Sequence, residues 1–310
     1  MHKKIVSAIL AAALTAAAVP AMAENETAAN VNSDVTEIFV ATDGNDANSG
    51  TIDSPFATVQ AALDYAVNVK TGNPGAKLSV NIRGGDYYLD SGIKLDTALS
   101  GTEDNPFVIQ NYDNEKVNLR GSKRINPMDF KQCKDEAVLK KIPEKARQHI
   151  GEYDLSELFH DKMTKYKVMN GYSGSQTAYY SIVLNDREQT LARYPDTGYK
   201  TVYQKGGKYG FVIEPEITKK WINAKEAVAC GWFGVTYAYE EEQVGWFEEG
   251  GWVGLLTNTT YGSSEKDRYF IKNLIEELDS PGEYFIDCDN KKLYFYPPYT
   301  MTGANIEIPT

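Results

Sequence analysis

The chain is short of the residues that most often mark a reactive centre. Its 310 residues include three Cys and three His. Cys133, Cys230 and Cys288 lie far apart and match no zinc spacing. Three thiols allow one disulfide at most, so unpaired, buried thiols of minor structural weight are expected. His2 sits at the extreme N-terminus. His149 and His160 have no Cys or carboxylate at ligand spacing, which argues against a metal centre and a Ser-His-Asp triad. Gly206-Gly207 is followed by no Lys-Ser/Thr pair, so it reads as a hairpin turn rather than a phosphate loop. Positive charge is scarce: 32 Lys and Arg face 43 Asp and Glu, for a net charge of -11, and no basic cluster stands out. That balance argues against a nucleic-acid partner, whose phosphates need a basic face. It argues mildly against direct grip on a polyanion, unless bound Ca²⁺ reverses the local field.

Long apolar runs are also missing, with one exception. Met1-His2-Lys3-Lys4 is basic, Ile5 to Val19 is apolar, and Ala21-Met22-Ala23 fits a small-x-small cleavage site. Residues 1–23 therefore read as a secretory signal peptide, too short in its apolar part to span a bilayer. No Cys follows the cleavage site to carry a lipid anchor. The expected localisation is secreted, extracellular or periplasmic, with no membrane anchor. Residues 24–36 are polar and read as a disordered leader.

From Ile38 the pattern changes. Ile38 and Val40 mark a strand, and the turn cluster after Thr42 has Gly44 and Gly50 for positive φ. Apolar residues at 56, 59, 62, 63 and 66 predict an amphipathic helix, with Ser54 as its N-cap and Pro55 as its first residue. Leu78 to Ile82 alternates as a strand. Ile93 to Val117 and Leu95 to Leu119 are both 24 residues, in the roughly 20–30-residue range of solenoid repeats. An antiparallel meander is the competing reading. After Gly121 the rhythm breaks, and 130–150 reads as two short helices or turns. Strands resume over Tyr179–Leu184 and Gln189–Pro195. Tyr284–Ile286 and Leu293–Tyr296 form a hairpin. The expected organisation is a solenoid cap and first coils over 37–124, an antiparallel β-rich insertion over 125–300, and the start of further coils over 301–310. Two coils bury too little against their neighbours, so more chain is expected beyond Thr310.

Several segments carry chemistry-bearing residues. Asp43, Asn45, Asp46 and Ser49 form an oxygen-rich loop without Ca²⁺-loop spacing, so a hydrogen-bonded turn is the simpler reading. All four Trp lie between 221 and 252. Within Gly231–Glu242 and just beyond it, Trp232, Tyr237, Tyr239 and Trp246 are the candidate sugar contacts, because aromatic faces cover sugar C–H surfaces. The same residues also suit strand cores. Glu276 and Glu277 are adjacent, and neighbours in a regular element do not face one another, so a structural role is expected.

The stretch Ile38-Phe39-Val40-Ala41-Thr42-Asp43-Gly44-Asn45, continuing through Ser54-Pro55-Phe56 to Asp64, resembles the opening of secreted right-handed parallel β-helix proteins that act on polysaccharides. Two further blocks are similar to bacterial β-helix glycoside hydrolases of the fucosidase/xylanase-like and xylosidase-like kind. One is Leu191-Ala192-Arg193-Tyr194-Pro195-Asp196-Thr197-Gly198-Tyr199. The other is Asn273-Leu274-Ile275-Glu276-Glu277-Leu278-Asp279-Ser280-Pro281-Gly282-Glu283-Tyr284, with Leu293-Tyr294-Phe295-Tyr296-Pro297 after it. The resemblance implies an all-β fold: a right-handed parallel β-helix with an antiparallel β-rich insertion. It implies a polysaccharide or oligosaccharide substrate, hydrolysis by two carboxylates and no organic cofactor. It also implies that the catalytic acids lie on later coils, so this stretch alone is expected to be inactive. A pectate-type lyase, with Ca²⁺ as its cofactor, and a non-catalytic glycan-binding protein remain alternatives.

Overall fold

The computed structural model describes residues 35–166, 168 and 179–309. The expected signal peptide, residues 24–34 of the leader and Thr310 lie outside the described residues. The first strand, β1, is Val35–Val40, so residues 35 and 36 belong to the fold and not to a leader.

The N-terminal part is parallel. Helix α1 (Val59–Gly72) follows β1, then β2 (Lys77–Ile82), β3 (Gly85–Tyr88), β4 (Val108–Asn111) and β5 (Val117–Arg120). Strands β1, β2 and β4 run parallel, with Ile38 beside Val80 and Val80 beside Ile109. Strand β3 runs parallel to β5, with Gly85 beside Val117 and Tyr87 beside Leu119. The repeat step is thus Tyr87 to Leu119, not Leu95 to Leu119. Ile93 and Leu95 lie outside the strands, and Leu95 is exposed. The extra chain goes into a 3-10 turn, Thr97–Leu99, capped by Asp96, which packs Leu99 into the core beside α1.

The apolar stripe of α1 is Val59, Ala62, Leu63 and Ala66, and it closes on Ile38, Val40, Leu78, Val80 and Ile82. Burying each Val, Leu or Ile of this set contributes about 1.5–3 kcal/mol. The helix starts later than the Ser54-Pro55 reading placed it. Phe56 is extended, with its N–H on Phe39 O at 2.9 Å and its carbonyl accepting from Ala41 N at 2.9 Å. Thr58 is the N-cap and accepts from Ala61 N at 3.2 Å. Asp46 reaches over to accept from Ala57 N, Thr58 N and Thr58 Oγ1 at 2.8–2.9 Å. The oxygen-rich loop is therefore a clamp on the helix entry.

The rest of the chain is predominantly antiparallel. It comprises β6 (Ser122–Ile125), β7 (Gly151–Asp154), β8 (Gly210–Val212), β9 (Val228–Trp232), β10 (Glu240–Phe247), β11 (Trp252–Leu255), β12 (Arg268–Lys272), β13 (Glu283–Asp287), β14 (Lys292–Phe295) and β15 (Ile306–Pro309). Strand β15 pairs antiparallel with β6, Ile306 beside Ile125 and Pro309 beside Ser122, so the intervening chain leaves and returns through neighbouring strands. The main sheet has the order β12-β9-β10-β11-β8, extended beyond β12 by Arg193–Tyr194. The hairpin β13-β14 forms as its alternation predicts, and β7 pairs with β14. Of the run Tyr179–Leu184, only Val183–Leu184 is strand.

Overall the molecule is mostly β-sheet with few helices, and most of its strands pair antiparallel. Parallel order is concentrated in residues 35–120. One face of the main sheet buries Phe211, Ala229, Val253, Tyr269 and Ile271 around Trp221 and Phe233. The other face sends Val228, Cys230 and Phe270 into a second core with Leu191, Tyr284 and Leu293. All three cysteines are buried and unpaired.

Candidate functional site

The second face of the main sheet carries more than a core. Alternation puts Val228, Cys230 and Trp232 of β9 on it, together with Arg268, Phe270 and Lys272 of β12. Register aligns Trp232 with Arg268, Cys230 with Phe270, Cys230 with Glu241, and Arg193 with Lys272. Towards β7 and β14 this face is covered. Towards Trp232 it opens to solvent.

On the open part the rings interlock. Trp232 meets Tyr239 edge-on, with centroids 5.3 Å apart, and Tyr199 at 5.1 Å. Tyr199 meets Phe270 at 5.8 Å. The Arg268 guanidinium lies 4.6 Å from the Trp232 centroid and 5.6 Å from that of Tyr199. The Arg193 guanidinium lies 3.8 Å from the Phe270 centroid.

Beside the rings sits a fixed charge pair. Glu241 accepts from Lys272 Nζ at 2.7 Å, Tyr166 OH at 2.9 Å and Tyr239 OH at 3.0 Å. Burial acts to raise the Glu241 carboxyl, but the Lys272 charge and the three donors outweigh it and hold the group below its ordinary value. Glu241 is thus an ionised acceptor. A cleft of about 300 Å³ continues from this point, lined by Tyr179, Glu188, Thr190, Arg193, Phe270 and Lys272.

Of the four aromatic residues singled out in the sequence, the fold brings Trp232 and Tyr239 together on this face. Tyr237 is exposed on the connecting loop and meets Tyr261 instead. Trp246 lies beyond a bulge in β10, over Gly254, where its indole N–H donates to Glu248 at 3.0 Å. Tyr199, Arg193, Phe270, Arg268 and Lys272 were not singled out. The alternation Arg268-x-Phe270-x-Lys272 was the available signal. A basic grouping that no contiguous stretch of the sequence shows is assembled here from residues nearly 80 positions apart, because Arg193 pairs with Lys272.

The adjacent acids Glu276 and Glu277 part company. Glu277 points into the core and accepts the Trp221 indole N–H at 2.7 Å. Glu276 lines a separate cleft of about 240 Å³ with Glu226 and Asp287, and burial raises its carboxyl. Lys165 bridges Glu226, at 2.8 Å, to Asp289 beside that cleft. Glu283 is buried and accepts from Arg193 N, Asp279 N and Ser280 N at 3.0–3.2 Å. His149 stacks flat on Tyr296 with centroids 4.9 Å apart. Among the described residues, no three His, Cys, Asp or Glu side chains gather as a metal site.

No family model matches the chain. A stretch of 85 residues is 35% identical to "Pectate lyase PEL9" of Emericella nidulans, covering 27% of this chain and 18% of that protein. A stretch of 118 residues is 31% identical to "Uncharacterized protein YwoF" of Bacillus subtilis, covering 38% of this chain and 23% of that protein. A solved structure described as a glycoside hydrolase superposes with a TM-score of 0.65 at 20% identity, over 88% of this chain and 46% of that one. At that identity the likeness is one of fold. The chain spans under a quarter of the curated relatives it matches and about half of the solved structure.

Proposed function

We propose that this chain is part of an exported, carbohydrate-active protein of the glycoside hydrolase kind, and that the face around Trp232 binds its glycan. In this reading residues 35–120 open a right-handed parallel β-helix and the antiparallel sheet forms a wall of the substrate cleft. The parallel pairing of β1, β2 and β4 and the fold likeness to a glycoside hydrolase support it.

The observation that carries the proposal is the open ring cluster Trp232–Tyr239–Tyr199 beside an ionised Glu241. Sugar C–H faces pack on such rings, and sugar hydroxyls bond to a fixed carboxylate and ammonium. Hydrolysis requires two carboxyl groups roughly 5–9.5 Å apart across the scissile bond. Glu188 lines the cleft and Glu241 sits beside it on Lys272, where that charge and three hydrogen bonds keep Glu241 ionised, without the proton a general acid must give. The share of this chain is therefore binding and positioning.

The test is a fluorescence titration of the full chain with neutral and uronic-acid oligosaccharides, alongside assays for new reducing ends and unsaturated products. Trp232→Ala is expected to weaken binding at least tenfold, and Trp246→Ala to leave it unchanged. Equal effects of the two substitutions, or no glycan binding, would overturn the proposal. An unsaturated product would replace the hydrolase with a lyase.

A further inference from the structure

We infer that the glycan bound at the Trp232 face carries an anionic substituent, carboxylate or sulfate, received by Arg193 and Arg268. This rests on the reading of that face as a glycan site and adds the chemical class of the sugar.

Among the described residues twelve close contacts join a Lys or Arg to a carboxylate, and neither Arg193 nor Arg268 is in any of them. What sets these two apart is their place, both guanidiniums lying against the rings of the Trp232 face. The neighbouring Lys272, by contrast, is neutralised by Glu241 at 2.7 Å.

Arg193 is the more demanding of the two. It is half-buried, its Nη2 donates to Gly198 O at 2.6 Å, and its Nε is buried without a hydrogen-bond partner. A buried donor left unpaired is destabilising. Burial also works against its charge, lowering its proton affinity from the usual guanidinium value. An anion arriving beside the guanidinium offsets the cost of holding that charge out of water. Arg268 is exposed, with its guanidinium against the Trp232 and Tyr199 rings. Such ring contact uses none of the N–H donors of a guanidinium, which can then serve a bidentate anion. The two guanidiniums flank Tyr199 and Phe270, so a sugar ring resting on the aromatic surface places its substituents within their range. A neutral sugar would leave both charges unanswered.

The test is calorimetric titration of the full chain with four probes: an oligogalacturonate, its fully methyl-esterified form, a sulfated oligosaccharide and a neutral xylo-oligosaccharide. The inference expects an anionic probe to bind at least tenfold more tightly than the ester and the neutral probe. Arg268→Gln and Arg193→Gln should each abolish that preference. Arg268 is exposed, so its variant keeps the test valid if Arg193→Gln folds poorly. Preference for the galacturonate assigns a carboxylate, and preference for the sulfated probe assigns a sulfate. Equal binding of ester and acid, or a preference that survives Arg268→Gln, overturns the inference and leaves the glycan face standing. No binding of any probe overturns both.

Discussion

Trp221 donates its indole N–H to the Glu277 carboxylate at 2.7 Å, with both side chains inside the core beneath the main sheet. Glu277 stands in the block that most resembles glycoside hydrolases, yet it works there as an anchor. Removing it leaves a buried N–H unpaired. Glu277→Ala should destabilise the chain by about 1–3 kcal/mol, whereas Glu277→Gln, which keeps an acceptor, should lose less. Urea denaturation of both variants checks this. An Ala variant of native stability would contradict the anchoring role.

Stability should fall as pH rises from 4.5 to about 7. Burial, together with the charge of Glu240, pushes the Glu242 carboxyl up to about 7, while a hydrogen bond from Thr257 opposes the shift. Between its ordinary value of 4.5 and about 7, the folded chain holds a proton that the unfolded chain has released. Stability is therefore lost with rising pH in that window, by at most about 1.4 kcal/mol per pH unit for this one proton. Glu242→Gln should flatten part of the decline in melting temperature from pH 5 to pH 7. An unchanged slope in the variant would contradict the assignment.

The Asp46 clamp makes a third prediction. Asp46→Ala removes three hydrogen bonds at the entry of α1 and should destabilise by about 1–2 kcal/mol, the range for a lost helix cap. Thermal melts with and without Ca²⁺ test the loop further. The hydrogen-bonded clamp predicts equal melting temperatures, and a rise with Ca²⁺ in the wild type alone would return the loop to metal binding.

Legibility differed between the two halves of the chain for physical reasons. The stripe on α1 and the alternation in β13 and β14 are local patterns, and they formed where expected. The helix entry shifted because Phe56 gains more from pairing with β1 and filling the core than from starting a helix. The repeat step was misjudged because matching apolar pairs do not reveal that a 3-10 turn at Thr97–Leu99 consumes chain. Trp232 and Tyr239 were visible as members of one aromatic stretch. Their partners were not, because Arg193 lies in one two-residue strand and Tyr199 just precedes another, and the pairing of both strands with β12 has no local signature.

The central claim is that glycan binds at the Trp232 face and not in the cleft beside Glu276. Amide hydrogen exchange of the full chain, free and saturated with a bound oligosaccharide, tests it most directly. The account predicts slower exchange in residues 228–232, 239–243 and 268–272. Slowing confined to residues 223–226 and 285–290, around Glu276, would contradict it.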